Sequence, residues 1–540
     1  MNEDRSNPRW NGIAAMRLVT FIGLLLQLVL LFRSDERFLS RPFQEDSFYV
    51  MSVARSLARG LGLSVDGVHP TNGVQPLICF LDAPLFAISG GNDFLALRLV
   101  LLLQIIIMSC AVFAVARFVT TLLKDEGERR RVFWLMTMIL AWSYTIVNGL
   151  MNGLETGLAV AITFLTLAYY NSSVANPLDV GTPPFRNYLV LGALLGIAVL
   201  TRIDIAILVP TILLVHLIQA HLRFRSLPMN ERLRAARRVF VGCFIVGAMS
   251  LAISSPWWVY NVTRFGSLVP ISGQSQRMLL PNWRINLSAT AIVLADAVAV
   301  TYNTPRALAD RFPVIGTIVL LIVIIGGLAV TGGLPTLRRA VAAWRGNWDL
   351  RGAIPLLAFG GCLLIYYNFF FGAPHFIVRY LIPVRLAIML GMVSLLYLVW
   401  RLADRPAVRR FLMVLLVACM GAACYGFTWN LDGHGGNTFA LPALFIRDSL
   451  PPTKSVGMFQ SGTTEFVNRN VINLDGKVNG AALNALLRGT ISKYIDSLRL
   501  DYIIDWDFYT DQAFADPVTR SHYQPVDTLA AFVVWKRKEE

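Results

Sequence analysis

Apolar runs of membrane-spanning length, separated by short basic clusters, recur from residue 16 to residue 428 and leave few folds open to this chain. In a bilayer every backbone N–H and C=O must be paired within its own segment, so runs of this kind become helices packed as a bundle. Composition agrees: 55% of the 540 residues are hydrophobic and 15% charged, with mean hydropathy +0.57. The net charge of +15 does not signal a nucleic-acid partner. Its arginines sit in loops between apolar runs, where they mark the cytosolic side. None of the six cysteines, all in apolar stretches, is spaced as a zinc site or a disulfide framework.

The basic loops fix an expected topology by parity. Arg5, Arg9 and Arg17 precede the first run, which reads as a signal anchor with a cytosolic N-terminus. Lys124–Arg131, His221–Arg238, Arg338–Arg351 and Arg401–Arg410 should all lie inside. That requires crossings at 16–32, 94–122, 132–147, 153–171, 188–201, 205–220, 239–256, 313–331, 353–371, 382–400 and 411–428, about eleven in all. Segments 76–90 and 288–303, the latter with Asp296, become external interfacial pieces. Residues 33–93 form one long external loop, and a span is expected to end at the interfacial pair Trp257 and Trp258. The expected division is a membrane domain over 1–428 and a small external α/β domain over 429–540. In the latter, strands are expected at 455–460, 471–474, 502–505 and 531–535, and helices at 481–487 and 491–498.

This topology gathers polar residues on the external side, at the ends of many different spans. Glu45 and Asp46 open an amphipathic segment, 50–62, expected to lie in the interface plane with Arg55 and Arg59 on its polar side. Either carboxylate would also serve as an ordinary helix cap. With them come His69, Asn72 and Gln75; Asn148, Asn152 and Glu155; Arg202 and Asp204; Asn261, Arg264 and Gln274; and His375, Arg379 and Tyr380. The bland readings are a structural ion pair for Arg202 and Asp204, a turn for Asn152, a cap for Glu155 and an interfacial histidine for His375. Arg379, just before an external boundary, suits an anionic head group gripped in bidentate fashion, with Tyr380 and Arg264 as further phosphate contacts.

A carboxylate beside the bilayer, an arginine for phosphate and surrounding Asn, Gln, Trp and Tyr suit a lipid-linked sugar phosphate. An acceptor hydroxyl would give its proton to the carboxylate and attack the anomeric carbon, with inversion in a single step. General-base help of this kind contributes ~10²–10⁴ in rate. The remaining residues of the group would contact sugar or acceptor.

The stretch Glu45-Asp-Ser-Phe-Tyr49, with Gly60-Leu-Gly62, Asp66-Gly67 and Thr71-Asn-Gly-Val-Gln-Pro-Leu77, resembles the first external loop of integral membrane glycosyltransferases of the GT-C fold. Asn152-Gly-Leu-Glu-Thr156, Thr201-Arg-Ile-Asp204, Pro256-Trp-Trp-Val-Tyr-Asn261, Arg379-Tyr380 and Asn473-Leu-Asp-Gly-Lys-Val-Asn479 are similar to later landmarks of one bacterial branch. That branch is distantly similar to cell-wall arabinofuranosyltransferases. The resemblance implies a mainly α membrane protein that takes sugar from a polyprenyl-phosphate donor. Its acceptor would be a glycan, lipid or protein on the outer face of the bacterial inner membrane. It places the base at Asp46, with Glu45 as the alternative. No cofactor is required. Some members hold a divalent cation at the acidic motif, which would put a metal at Asp46. The rival classes are a transporter or flippase of anionic or lipid-linked sugars, and a non-catalytic assembly protein.

Overall fold

The structure, a computed structural model, describes residues 9–179, 181–278, 280–298, 315–432 and 438–539. Among the described residues, eight helices are long and apolar enough to cross a membrane. They are Gly12–Phe32, Asp93–Thr121, Thr156–Ala175, Ile203–Phe224, Met229–Phe265, Leu350–Phe369, Ile382–Leu402 and Pro406–Thr428. The pair Glu126–Ala141 and Tyr144–Leu150, bent by 78°, and the pair Ile318–Val330 and Leu334–Trp344, bent by 110°, bring the total to ten if each is one span. Phe185–Thr201, at 17 residues, is a shorter apolar helix, as are Pro76–Ile88 and Trp283–Ala295. Each expected crossing thus coincides with a helix, although 132–147 is broken rather than straight and 313–314 lie outside the described residues. Residues 299–303 and the side chain of Asp296 also lie outside them.

Two local expectations need correction. The helix of Met229–Phe265 does not stop at Pro256; it ends at Gly266, whose φ of +66° closes it in the left-handed conformation. Proline leaves the Ala252 carbonyl without its helical donor, and the Ser255 hydroxyl supplies one at 2.9 Å. Trp257 is buried at 5% exposure instead of facing an interface.

The second correction concerns the segment after Asp46. It is a helix over Ser47–Ala58, but Ser47 through Ser56 are all buried, so it does not lie on a surface with a wet face. Its polar side is covered by the helix Gly462–Val467 of the C-terminal unit. Arg55 pairs with Asp93 at 2.8 Å, donates to the Phe466 carbonyl at 2.9 Å and stacks on the Phe466 ring. Arg59, by contrast, is exposed.

The C-terminal unit holds a five-stranded sheet of β1 (Val456–Met458), β2 (Val471–Asn473), β3 (Tyr502–Trp506), β4 (Tyr523–Leu529) and β5 (Phe532–Arg537). The order is β2-β1-β3-β5-β4; β1 runs parallel to β2 and β3, whereas β5 is antiparallel to β3 and β4. Strand β4 went unrecognised in the sequence because its exposed Gln524-Pro-Val-Asp-Thr528 lacks the alternation of a half-buried strand. Helices Gly480–Leu487 and Ile491–Ser497 fall where expected. Phe466 and Ala440 join the core of the helical bundle, so the unit is packed onto it.

Candidate active site

Asp46 occupies the N-cap position of Ser47–Ala58, yet its side chain makes no capping bond. The turn ahead of it is pinned by Ser47 N–H donating to the Gln44 carbonyl (2.9 Å) and Gln44 N–H donating to the Asn152 carbonyl (3.1 Å). The carboxylate therefore points into an open cleft of about 70 Å³, shared with Tyr49, Gln75, Glu155, Arg379, Tyr380 and Lys477. One oxygen lies 3.4 Å from Lys477 Nζ, the other 3.5 Å from Arg379 Nη1.

The two adjacent carboxyls are pushed apart. Burial, and then the neighbouring Asp46 charge, raise Glu45 well above the usual glutamate range. Burial also works against ionised Asp46, but the charges of Lys477 and Arg379 outweigh it and hold Asp46 below the usual aspartate range. Of the pair, Glu45 thus holds its proton the more tightly and Asp46 gives it up the more readily. Glu45 Oε1 accepts the Gly462 N–H of the C-terminal unit. It acts as a tie between two parts of the fold and is not among the residues lining the cleft.

Arg379 is supplied by the short helix Ile377–Tyr380, just ahead of the span Ile382–Leu402. Its Nη2 donates to the Tyr380 hydroxyl at 3.3 Å, while its Nε and Nη1 are buried without any hydrogen-bond acceptor. Behind it, the Tyr380 ring stacks parallel to Tyr367 (4.8 Å, 5°) with the Arg202 guanidinium 4.9 Å over its other face. Arg202 is paired to Asp204, which also accepts the Tyr367 hydroxyl at 2.7 Å. Arg202 and Asp204 are thus a structural pair that holds Tyr380, and they do not line the cleft. Glu155, at the first position of its helix, makes no capping bond and faces the cleft. Gln75 lines the cleft too, and its Oε1 is buried without a donor.

The remaining expected contacts lie elsewhere. Asn72 is fully buried; it donates to Asn261 Oδ1 (3.1 Å) and accepts from Ile271 N–H (3.0 Å), locking the first loop to the chain after Phe265. Asn261 donates onward to the Leu268 carbonyl, and Gln274 to the Val269 carbonyl. Asn152 shapes its own turn by accepting Leu154 N–H. His69 is exposed and pairs with Asp66 at 2.6 Å, and Arg264 is exposed in the last turn of its helix. His375 does not line the cleft; burial and the charges of Lys477 and Arg379 lower its pKa against the pull of Asp46.

Lys477 escaped the sequence reading. Its signal was a single cation in Asp475-Gly-Lys477, a turn where Gly476 has φ +73°. Asp475, 3.1 Å away, is its second counter-ion, while Asn479 caps the next helix through Ala481 and Ala482 N–H. The turn can approach because Gly73 has no side chain: a Cβ there would overlap the Lys477 carbonyl oxygen. Tyr49 adds a further seam, its hydroxyl meeting Ser461 Oγ at 3.1 Å and Asn473 Nδ2 at 3.0 Å.

A hard cation needs several converging oxygens. Among the described residues no three His, Cys, Asp or Glu side chains assemble such a set. Both Asp46 oxygens already face cationic nitrogens, and Glu45 is turned to Gly462. The acidic pair as arranged does not fit a divalent metal.

No family model and no curated protein matches the chain. Among solved structures the chain aligns with those of a GT-C membrane enzyme, and at this level of identity the likeness establishes the fold. The structures are those of ArnT from Cupriavidus metallidurans. The form bound to undecaprenyl phosphate matches with TM-score 0.56 and 14% identity over 98% of each chain; the apo form matches with TM-score 0.52 and 14% identity over 97% of each. The chain is an integral membrane protein with the GT-C fold that its first-loop motif led us to expect.

Proposed function

We propose that the chain is a glycosyltransferase that moves a sugar from a polyprenyl-phosphate donor to an acceptor hydroxyl on the outer face of the cytoplasmic membrane. The observation that carries this reading is the pairing, in one cleft, of Asp46 with Arg379, whose Nη1 faces the carboxylate at 3.5 Å and whose Nε is buried without an acceptor. A buried guanidinium with an unused N–H suits a phosphate oxygen. The ArnT structure with undecaprenyl phosphate supports a lipid phosphate as the occupant of this fold.

The acceptor O–H, held beside Asp46, attacks the anomeric carbon as the bond from that carbon to the phosphate oxygen breaks. The acceptor proton passes to the Asp46 carboxylate, and the bonding electron pair leaves on the phosphate, where Arg379 meets the growing charge. A single displacement inverts the anomeric centre. Gln75, with its free acceptor oxygen, and Glu155 are placed to take sugar or acceptor hydroxyls. Lys477 and Arg379 already face both Asp46 oxygens, so the reaction proposed here uses no metal at that carboxylate. The acceptor is a glycan, lipid or protein hydroxyl.

The test is transfer by the purified protein in nanodiscs from a panel of polyprenyl-phosphate pentoses and hexoses. Asp46→Asn should lower turnover by ~10²–10⁴ while leaving lipid-phosphate binding in place. Full activity in that variant, or no activity on any polyprenyl-phosphate sugar by the unaltered protein, would overturn the reading.

A further inference from the structure

The C-terminal unit does more than cover the first loop, because it delivers a charge into the cleft. Lys477 Nζ and Arg379 Nη1 face opposite oxygens of the same Asp46 carboxylate, at 3.4 and 3.5 Å. Both cations also pack on one ring, that of Phe376, at 5.8 and 4.9 Å. The carboxylate is a small anion held between two cations, which is the position a phosphate would take. Lys477 has a second counter-ion, Asp475 at 3.1 Å, that keeps it in place if Asp46 is drawn away. Its side chain is only 16% exposed, so this charge is held for the cleft and not for solvent.

We propose that Lys477 is a donor-phosphate ligand and that phosphate binding exchanges with Asp46 for the two cations. The inference rests on the transfer reaction proposed above. Without donor, Lys477 and Arg379 neutralise Asp46, and an aspartate so paired is a poor base. When the phosphate arrives, its oxygens take up both cations and the carboxylate is released to the acceptor hydroxyl. The groups that act on Asp46 are Lys477, Arg379 and His375, with Glu45 beside it and Asp475 behind Lys477. Loss of the two nearest cations to phosphate raises its basicity. The base thus becomes competent only with a lipid phosphate present. After transfer the phosphate monoester carries one more negative charge than the diester, and Lys477 stabilises that charge as it forms.

The experiment measures undecaprenyl phosphate binding to the full-length protein in detergent, by quenching of tryptophan fluorescence. Lys477→Gln should weaken binding by about tenfold or more, and Lys477→Arg should largely restore it. Asp46→Asn removes the competing anion, so it should tighten binding, and Asp46→Asn with Lys477→Gln should lose most of that gain. Binding by Lys477→Gln at the unaltered level, with Arg379→Gln impaired, would overturn this inference and leave the proposed function standing. Failure of the unaltered protein to bind the lipid phosphate would count against the proposed function itself. Should Lys477→Gln not fold, the Asp46→Asn measurement decides alone: no tightening means no exchange.

Discussion

Adjacent carboxyls with oppositely shifted pKa values divide the labour of the acidic motif. Glu45 is pushed towards its neutral form by burial and accepts a backbone N–H, so Glu45→Gln keeps its shape and its acceptor. Steady-state assays should find Glu45→Gln within about threefold of the unaltered protein, in contrast to the ~10²–10⁴ loss in Asp46→Asn. Overnight treatment with EDTA should leave transfer unchanged, as expected of a site where guanidinium and ammonium occupy the anion's two sides. Asp46, Gln75, Glu155, Arg379 and Tyr380, expected from the sequence to share one site, line one cleft because each ends an element at the same face. Asn72, Asn152, Asn261 and Gln274, grouped with them in the sequence, lie apart from that cleft, with amides bonded to backbone and to one another. Amide side chains look alike in a sequence whether they bind sugar or hold a turn. Lys477 was hidden because its partner is separated from it by 431 residues.

At the scale of elements, the seam between Ser47–Ala58 and Gly462–Val467 joins the first loop to the C-terminal unit. Arg55→Met should lower stability by about 2 kcal/mol through the loss of a charged hydrogen-bond partner, read as a drop in melting temperature. Gly73→Ala should cost activity before it costs expression, since the added methyl group displaces the Lys477 backbone. The seam also carries a pH dependence. Burial raises Glu465 from 4.5 to about 8, and Asp505 from 3.8 to about 7. The folded form then holds protons that the unfolded chain releases, so stability is greatest near pH 4–5 and falls as pH rises towards 8. Melting curves between pH 5 and 8 should show this decline, and Glu465→Gln should flatten it. The amphipathic reading of residues 50–62 missed this seam because periodicity reports a polar face without saying whether water or another element covers it.

For the molecule as a whole, the run of apolar segments pointed to the fold class and located most helices to within a few residues, with Met229–Phe265 overrunning the expected 239–256 at both ends. Sidedness follows from the same count and can be measured. Cysteine introduced at the exposed His69 should react with an impermeant maleimide in intact cells, and cysteine at the exposed Arg234 should react only after lysis. The reverse pattern would place the first loop, and the chemistry proposed for it, in the cytosol.

Because one wall of the cleft comes from the first loop and another from Asp475-Gly-Lys477, translation completes the site last. A ribosome inserts every membrane helix before it makes the lysine that faces Asp46. A chain clipped ahead of residue 429 keeps the described membrane helices and loses the lysine that faces Asp46. Under the proposed reaction, transfer begins only once Asp475-Gly-Lys477 is seated against Gly73.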